Sequence, residues 1–406
     1  MNKIKINNQN CYEKNIYNLP GFEAQIIDKN YLSLLGLKSG YPANMLEDLE
    51  QGSILLKNRF KNKIVIPKPE LFLTEIDVNS ELEVHNYTGS CPVLTYEINP
   101  VSGCNVGCLY CLVTDGVHEN KMSAYVNYKD LVSRVLVEKR NENHFFYFSP
   151  KTEAFQEPTL QTGIAHDILL EFIRHFEKYP DSRARLFIAS KAGTKQLLYK
   201  HKGNSILDLL KELKTKSQFN TSVAIMPENI RQIIEPNAAT IIDRLDAVKL
   251  CQNNGIISNS ALVQPIIIQF LNNESIHKLF AMLRDADIKN YKPEFLTLSM
   301  ENLAVIGQIL GYENKTMEKE LYENYLDISN EDHKKQRGRT APKRNICKEK
   351  IDSLIAIGNS YGLSISICYW VRKELNITED QIPIINSNGF QCLGYQTELF
   401  NTETSK

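Results

Sequence analysis

Three cysteines in Cys104-Asn-Val-Gly-Cys108-Leu-Tyr-Cys111 constrain this chain more than any other stretch. Thiols separated by three and then two residues can converge on one metal cluster with no help from elsewhere. The apolar segment before them, Val93 to Ile98, reads as a strand, so the motif lies on a loop at a strand end, where α/β folds place their chemistry. Cysteine thiolates are the ligands of iron–sulfur clusters, and four of them saturate a four-iron cluster. Three leave one iron open to a small molecule, as the open position of a catalytic zinc is. Two plainer readings compete, a structural zinc site and buried thiols without a metal. Against zinc, neither a histidine nor a fourth cysteine follows at zinc-finger spacing, and the next cysteine is Cys251.

The same loop resembles the cluster signature of the radical S-adenosylmethionine superfamily. The resemblance implies that Cys104, Cys108 and Cys111 hold a 4Fe-4S cluster whose open iron chelates the amino and carboxylate groups of S-adenosyl-L-methionine. An electron from the cluster then splits the cofactor to a 5′-deoxyadenosyl radical, which takes a hydrogen atom from an unreactive carbon. It also implies a flavodoxin- or ferredoxin-type electron donor. Tyr110, just before the third cysteine, matches the aromatic position that in this family lies near the adenine.

With 406 residues the chain can bury a large core, and barrel-like α/β folds use such a length largely as one unit. The formal charge of −1 provides no global attraction to nucleic acid. Nine cysteines, three of them clustered, read as metal ligands and free thiols in a reducing compartment, not as a disulfide scaffold. The first fifteen residues lack the apolar core of a signal peptide, and no stretch of about twenty apolar residues could span a bilayer. The expectation is a cytoplasmic protein with no membrane partner.

Residues 1–90 are weakly periodic and read as an N-terminal extension packed on a catalytic core, with a short strand at Lys63 to Pro67. From Val93 on, strand candidates alternate with helical stretches, the pattern of parallel βα units. The candidates are Leu94 to Ile98, His144 to Phe148, Arg185 to Ala189, Asn220 to Ile225, Ala261 to Ile268 and Glu294 to Leu298. Six such strands predict an α/β fold, a partial (β/α)6 TIM-type barrel over residues 91–300. Amphipathic helices are expected from Thr162 to Lys178 and from about Thr240 to Asn254, the latter stopped by Gly255. Residues 301–406 read as a mainly helical, charged C-terminal extension with an additional strand candidate.

A parallel barrel gathers its strand ends on one face, so cofactor contacts are expected at the tops of the later strands. Strand two ends in Phe148-Ser149-Pro150-Lys151-Thr152-Glu153 and strand three in Ala189-Ser190-Lys191-Ala192-Gly193. A lysine and a serine at a strand end suit the carboxylate of a methionine group, although most Ser-Lys pairs are solvated loop. The runs Ile234-Glu235-Pro236-Asn237, Asp243-Arg244-Leu245-Asp246-Ala247, Asn254-Gly255-Ile256 and Val263-Gln264-Pro265-Ile266 resemble the spore photoproduct lyase group of radical enzymes over roughly residues 90–300. By that resemblance Ser149, Ser190 and Lys191 contact the cofactor. Glu235 and Arg244 read more simply as a pair that fixes a loop.

One departure bears on the substrate. In spore photoproduct lyase a cysteine soon after the cluster returns a hydrogen atom to the product radical, whereas this chain has no cysteine from residue 112 to 250. A peptide or small-molecule substrate is therefore expected, with a nucleic-acid substrate, or a nucleic-acid-binding protein with a structural metal, as the alternatives. Cys347, Cys368 and Cys392 lie beyond the core, as ligands of a second cluster, a hydrogen donor, or ordinary buried thiols. The apolar, glycine-bracketed run Gly389 to Tyr395 is expected to dock on the core. The basic run His333 to Arg344 could grip a phosphate backbone, but no aromatic residues are interleaved for stacking.

Overall fold

The computed structural model describes residues 4–5, 21–61, 70–84, 95–111, 121–142, 144–326, 339–367 and 375. Among these a seven-stranded sheet forms the frame: β1 Thr95–Ile98, β2 Phe145–Phe148, β3 Arg185–Ser190, β4 Ser217–Ile225, β5 Ser260–Ile266, β6 Asn290–Phe295 and β7 Ser364–Ile365. The strands lie side by side in sequence order and every neighbouring pair is parallel. An order without a reversal point means that the chain winds in one sense only, the arrangement of a barrel and not of a doubly wound sheet. β1 and β7 end the order and do not pair with each other among the described residues, so the barrel is partial.

Alternation along the strands sorts the two faces. Ile98, Phe146, Phe148, Leu186, Ile188, Phe219, Val223, Val263 and Tyr291 share one core with the crossover helices, including Tyr128–Glu138, Ile164–Lys178 and Asn273–Asp285. The helix at Ile164–Lys178 realises the expected amphipathic segment, burying Ile164, Ile168 and Phe172. The expected helix before Gly255 spans Ile241–Asn253, and Gly255 adopts φ 74°, the left-handed conformation that ends helices. The other sheet face carries a smaller apolar group, Phe145, Tyr147, Phe187 and Leu262, and otherwise mostly polar residues.

The sixth strand departs from expectation. It spans Asn290–Phe295, not Glu294 to Leu298, and Leu298–Ser299 instead pairs antiparallel with Arg339–Thr340. The alternation from Glu294 to Leu298 looks strand-like, but the register that sets Leu262 beside Lys292 and puts Tyr291 under Phe280 begins earlier. The C-terminal strand candidate is β7, which extends the six expected strands to seven by pairing Ser364 and Ile365 with Asn290 and Tyr291.

A second core lies over the cluster loop. Helix Met300–Glu313 packs against both Ala43–Lys61 and Lys315–Tyr325, so the N-terminal extension and the segment after residue 300 share one core. The expected charged character fails at once there: Met300–Glu313 buries every residue from Met300 to Gly311 except Glu301. Gly52 marks the closest approach. A Cβ at this position would stand 2.3 Å from the Glu301 carbonyl oxygen. Gly52→Ala is expected to lose stability: overpacking costs about 1–3 kcal/mol, against ~1 kcal/mol gained in helix propensity. A thermal melt showing an unchanged or raised midpoint would contradict this packing.

The strand expected at Lys63 to Pro67, the run from Gly389 to Tyr395, Cys368, Cys392 and residues 333–338 of the basic run lie outside the described residues. Among the described residues no helix is long and apolar enough to cross a membrane.

Candidate metal centre

The loop bearing the three cysteines starts where β1 has just ended, and its backbone is held on several sides. Val101–Ser102 pairs antiparallel with Lys121–Tyr125 directly before it. Gly103 and Gly107 take φ of 90° and 69°, conformations in which a Cβ is strained, so both glycines are what the turns require. The Gln156 side chain accepts from the Asn105 N–H at 2.9 Å and donates to the Gly103 carbonyl at 3.4 Å. Asn237 donates its backbone N–H to the Val106 carbonyl (3.2 Å) and its side-chain amide to the Asn105 carbonyl (2.6 Å). The Leu109 N–H reaches the Ile234 carbonyl at 2.9 Å, and Asn302 donates to the Cys111 carbonyl at 3.3 Å. Leu109 is buried in the second core, so the loop's far end is anchored apolarly as well.

Cys108 is buried and Cys104 and Cys111 are half-buried. Burial pushes the Cys104 thiol up to about 12, with the neighbouring Cys111 and Glu153 adding to it. Cys108 is raised too, by burial first, while the Lys191 ammonium pulls against the rise. Cys104 and Cys108 thus feel the neighbouring sulfurs electrostatically, and their two protons leave only if a cation takes their place. Among the described residues no three His, Cys, Asp or Glu side chains already stand close enough to hold a metal ion. The donor set suits an iron–sulfur cluster by its chemistry: three soft thiols on one braced, water-poor loop at a strand end.

Behind the loop lies a buried charge network. Tyr110 donates its hydroxyl to Glu235 Oε1, and Arg244 donates to Glu235 Oε2. Lys191 Nζ is 3.9 Å from Glu235 Oε1 and 5.9 Å from the centre of the Tyr110 ring. Glu235 and Arg244 are wholly buried. Burial pushes the Glu235 carboxyl up, but the Arg244 guanidinium and Lys191 ammonium outweigh it and hold the group below the usual carboxylate range. Burial pulls Lys191 down, and Glu235 with Cys108 overrides that and raises it. Arg244 further binds the Ala239 and Ser222 carbonyls at 2.8 Å each, fixing the segment after β4. The pair read from sequence as a loop fastener does fasten the loop.

The strand-end serines take different positions. Ser190 donates its hydroxyl to Glu153, whose other oxygen accepts the Lys191 N–H at 2.7 Å. Ser149 is buried at φ 55°, and its Oγ has no partner among the described residues; Thr152 Oγ1 is in the same situation. An unsatisfied buried hydroxyl costs about 1–3 kcal/mol, so both suit a bound polar ligand. Sequence reasoning did not single out Gln156, Asn237 or Asn302. Asn237 follows the Glu-Pro pair and so carried a signal, while an amide reaching back to a loop across 51 or 191 residues leaves none.

Cys251 and Cys347 are buried thiols, each pushed by burial to about 12. Cys347 lies in helix Arg344–Ser360 and donates its thiol to the Pro342 carbonyl at 3.7 Å, a packed position.

Residues 98–283 match the family model of the Radical SAM superfamily. No curated protein matches the chain. Among solved structures the chain is similar to methylornithine synthase (PylB), with TM-score 0.34 and 9% sequence identity, covering 86% of this chain and 83% of that one.

Proposed function

Because residues 98–283 match the family model of the Radical SAM superfamily, we propose that the protein is an enzyme that cleaves S-adenosyl-L-methionine reductively at a 4Fe-4S cluster and abstracts a hydrogen atom from a small-metabolite or peptide substrate. The 4Fe-4S cluster and S-adenosyl-L-methionine are the cofactors of this superfamily. The observation that carries the proposal is the position of Cys104, Cys108 and Cys111, on one braced loop at the C-terminal end of β1 in a singly wound parallel sheet. The cluster, once bound, supplies the electron that breaks the cofactor's carbon–sulfur bond.

The chain's own residues bind and orient. Lys191 brings a half-buried positive charge beside Cys108 and suits the cofactor's carboxylate. Glu153 fixes the turn after β3 by accepting from both Ser190 and the Lys191 N–H. The unpartnered hydroxyls of Ser149 and Thr152 supply donors at the top of β2. Tyr110, tethered through Glu235, offers an aromatic face for the adenine. A flavodoxin- or ferredoxin-type protein is the reductant this chemistry asks for.

The motif likeness to the spore photoproduct lyase group extends to Glu235 and Arg244, and supports a related way of fastening the cluster loop. Without a cysteine between residues 112 and 250, hydrogen return to a nucleic-acid lesion lacks its donor there. A small-metabolite or peptide substrate is favoured for that reason. Anaerobic reconstitution with iron and sulfide, dithionite and S-adenosylmethionine should yield 5′-deoxyadenosine; methionine and 5′-deoxyadenosine both absent from an iron-replete preparation would overturn the reading.

Lys191→Ala is expected to weaken S-adenosylmethionine binding about tenfold or more while the iron stays, since it removes the carboxylate's counter-charge and no ligand. Equal affinity of variant and wild type in a titration of the reconstituted protein would take Lys191 out of the cofactor site.

A further inference from the structure

Tyr110 has two parts, and binding the adenine uses only its ring. The hydroxyl lies among charges. It donates to Glu235 Oε1 and also stands within hydrogen-bonding reach of Cys108. Glu235 Oε2 accepts from Arg244, and Lys191 Nζ is 3.9 Å from Glu235 Oε1. The fold gathers these side chains from the cluster loop, the turn after β3 and the two helical segments that follow β4. They converge behind one sulfur. After burial itself, the Lys191 ammonium and the Glu235 carboxylate act most strongly on the Cys108 thiol, and the Arg244 guanidinium also feels that sulfur.

Cys104 is met differently. The backbone N–H groups of Val106 and Glu153 donate to its sulfur, and the fold fixes their direction. The Tyr110 hydroxyl can turn. A phenol carries one proton and gives it to one strong acceptor at a time. While Cys108 is a thiol, that acceptor is the Glu235 carboxylate. Metal binding replaces the thiol proton, so Cys108 then presents a negatively charged sulfur to the same hydroxyl. Glu235 can release the bond, because Arg244 and Lys191 remain beside it.

Hydrogen bonds to the sulfurs and local charge both set the potential of an iron–sulfur cluster. A donor on a ligand sulfur favours the reduced cluster, which is the more negative state. The geometry points to Tyr110 as a potential-setting residue: with the cluster bound, its hydroxyl turns from Glu235 to the Cys108 sulfur and raises the reduction potential, while its ring stays available to the adenine. The step affected is uptake of one electron by the cluster from an external reductant, with no proton transferred. This rests on the reading of the chain as a radical SAM enzyme and adds how its cluster is brought within reach of that reductant.

The test is a redox titration of wild type and variants, each reconstituted with iron and sulfide and reduced stepwise with titanium citrate in the absence of S-adenosylmethionine. Electron paramagnetic resonance follows the reduced cluster. Tyr110→Phe keeps the ring and removes the hydroxyl. Its midpoint potential is expected to fall, the reduction equilibrium shifting about tenfold towards the oxidised cluster, which is ~59 mV for a one-electron couple. Glu235→Gln removes the neighbouring negative charge and is expected to raise the potential. Opposite signs separate electrostatics from a loosened loop, which would move both variants alike. An unchanged or raised potential in Tyr110→Phe, a shift of the same sign in both variants, or loss of iron from Tyr110→Phe overturns the inference. Should Glu235→Gln not fold, Tyr110→Phe decides alone, since it removes neither a charge nor a ring. The two readings fail separately. A wild type that holds iron and forms 5′-deoxyadenosine, beside a Tyr110→Phe variant of equal potential, refutes only the role of the hydroxyl, whereas a wild type that takes up no iron overturns both.

Discussion

Protein with Cys104, Cys108 and Cys111 all replaced by alanine should come out of anaerobic reconstitution colourless, whereas the wild type should carry about four irons per chain. The effect is expected to be all-or-none because on the proposed reading each thiolate is an iron ligand and nearby groups offer no substitute: among the described residues no three His, Cys, Asp or Glu side chains form a ready alternative metal site. The fold should survive. The loop is braced by Gln156, Asn237 and Asn302 through its backbone carbonyls and N–H groups, not through the sulfurs. Iron analysis together with circular dichroism checks both halves of the statement. A four-iron cluster retained by the triple variant would move the metal centre elsewhere, and zinc bound in place of iron by the wild type would restore the structural-metal alternative.

The second large effect belongs to Glu235. Glu235→Ala removes the one carboxylate that Arg244 and Lys191 share, leaving the buried Arg244 and the half-buried Lys191 around an emptied site. Breaking a buried pair in this way costs about 3–5 kcal/mol, a large part of the stability of an ordinary domain. Tyr110 and Arg244 both lose their carboxylate acceptor, so the cluster loop loosens along with the segment after β4 that Arg244 holds. Denaturant unfolding should show the loss, and Glu235→Leu combined with Arg244→Met should recover much of it by removing both charges. The sign of the pH dependence follows from the depressed carboxyl. Because Glu235 is held below the usual carboxylate range in the folded protein, its contribution is present above the unfolded carboxylate value of about 4.3 and disappears as the pH falls through the lower folded value. The Glu235→Ala variant should lack that component of acid sensitivity. A variant as stable as wild type would show that the network contributes only packing.

Much of the frame follows from local sequence. Runs such as Phe145–Phe148 and Arg185–Ser190 are short, apolar and spaced by amphipathic helices, so strand type and parallel order emerge from periodicity alone. The cluster loop is equally legible, since its three thiols are neighbours in sequence and their spacing is itself the chemistry. The Glu235 and Arg244 pair was visible for a similar reason, being only nine residues apart.

Tertiary structure decided what depends on distant partners. Register along β6 is set by Leu262 and Tyr291 finding their neighbours, which is why local alternation placed that strand four residues late. Met300–Glu313 is buried because the helix at Ala43–Lys61 covers it across some 250 residues of chain, a contact without a local trace. Lys292 is buried beside Leu262 because β5 and β6 pair in that register, which local sequence does not specify. Sequence by itself determined the candidate ligands and the parallel frame, because both are written in short-range spacing. Which charges are buried, and what faces them across the barrel, was decided by packing between segments that sequence spacing does not relate.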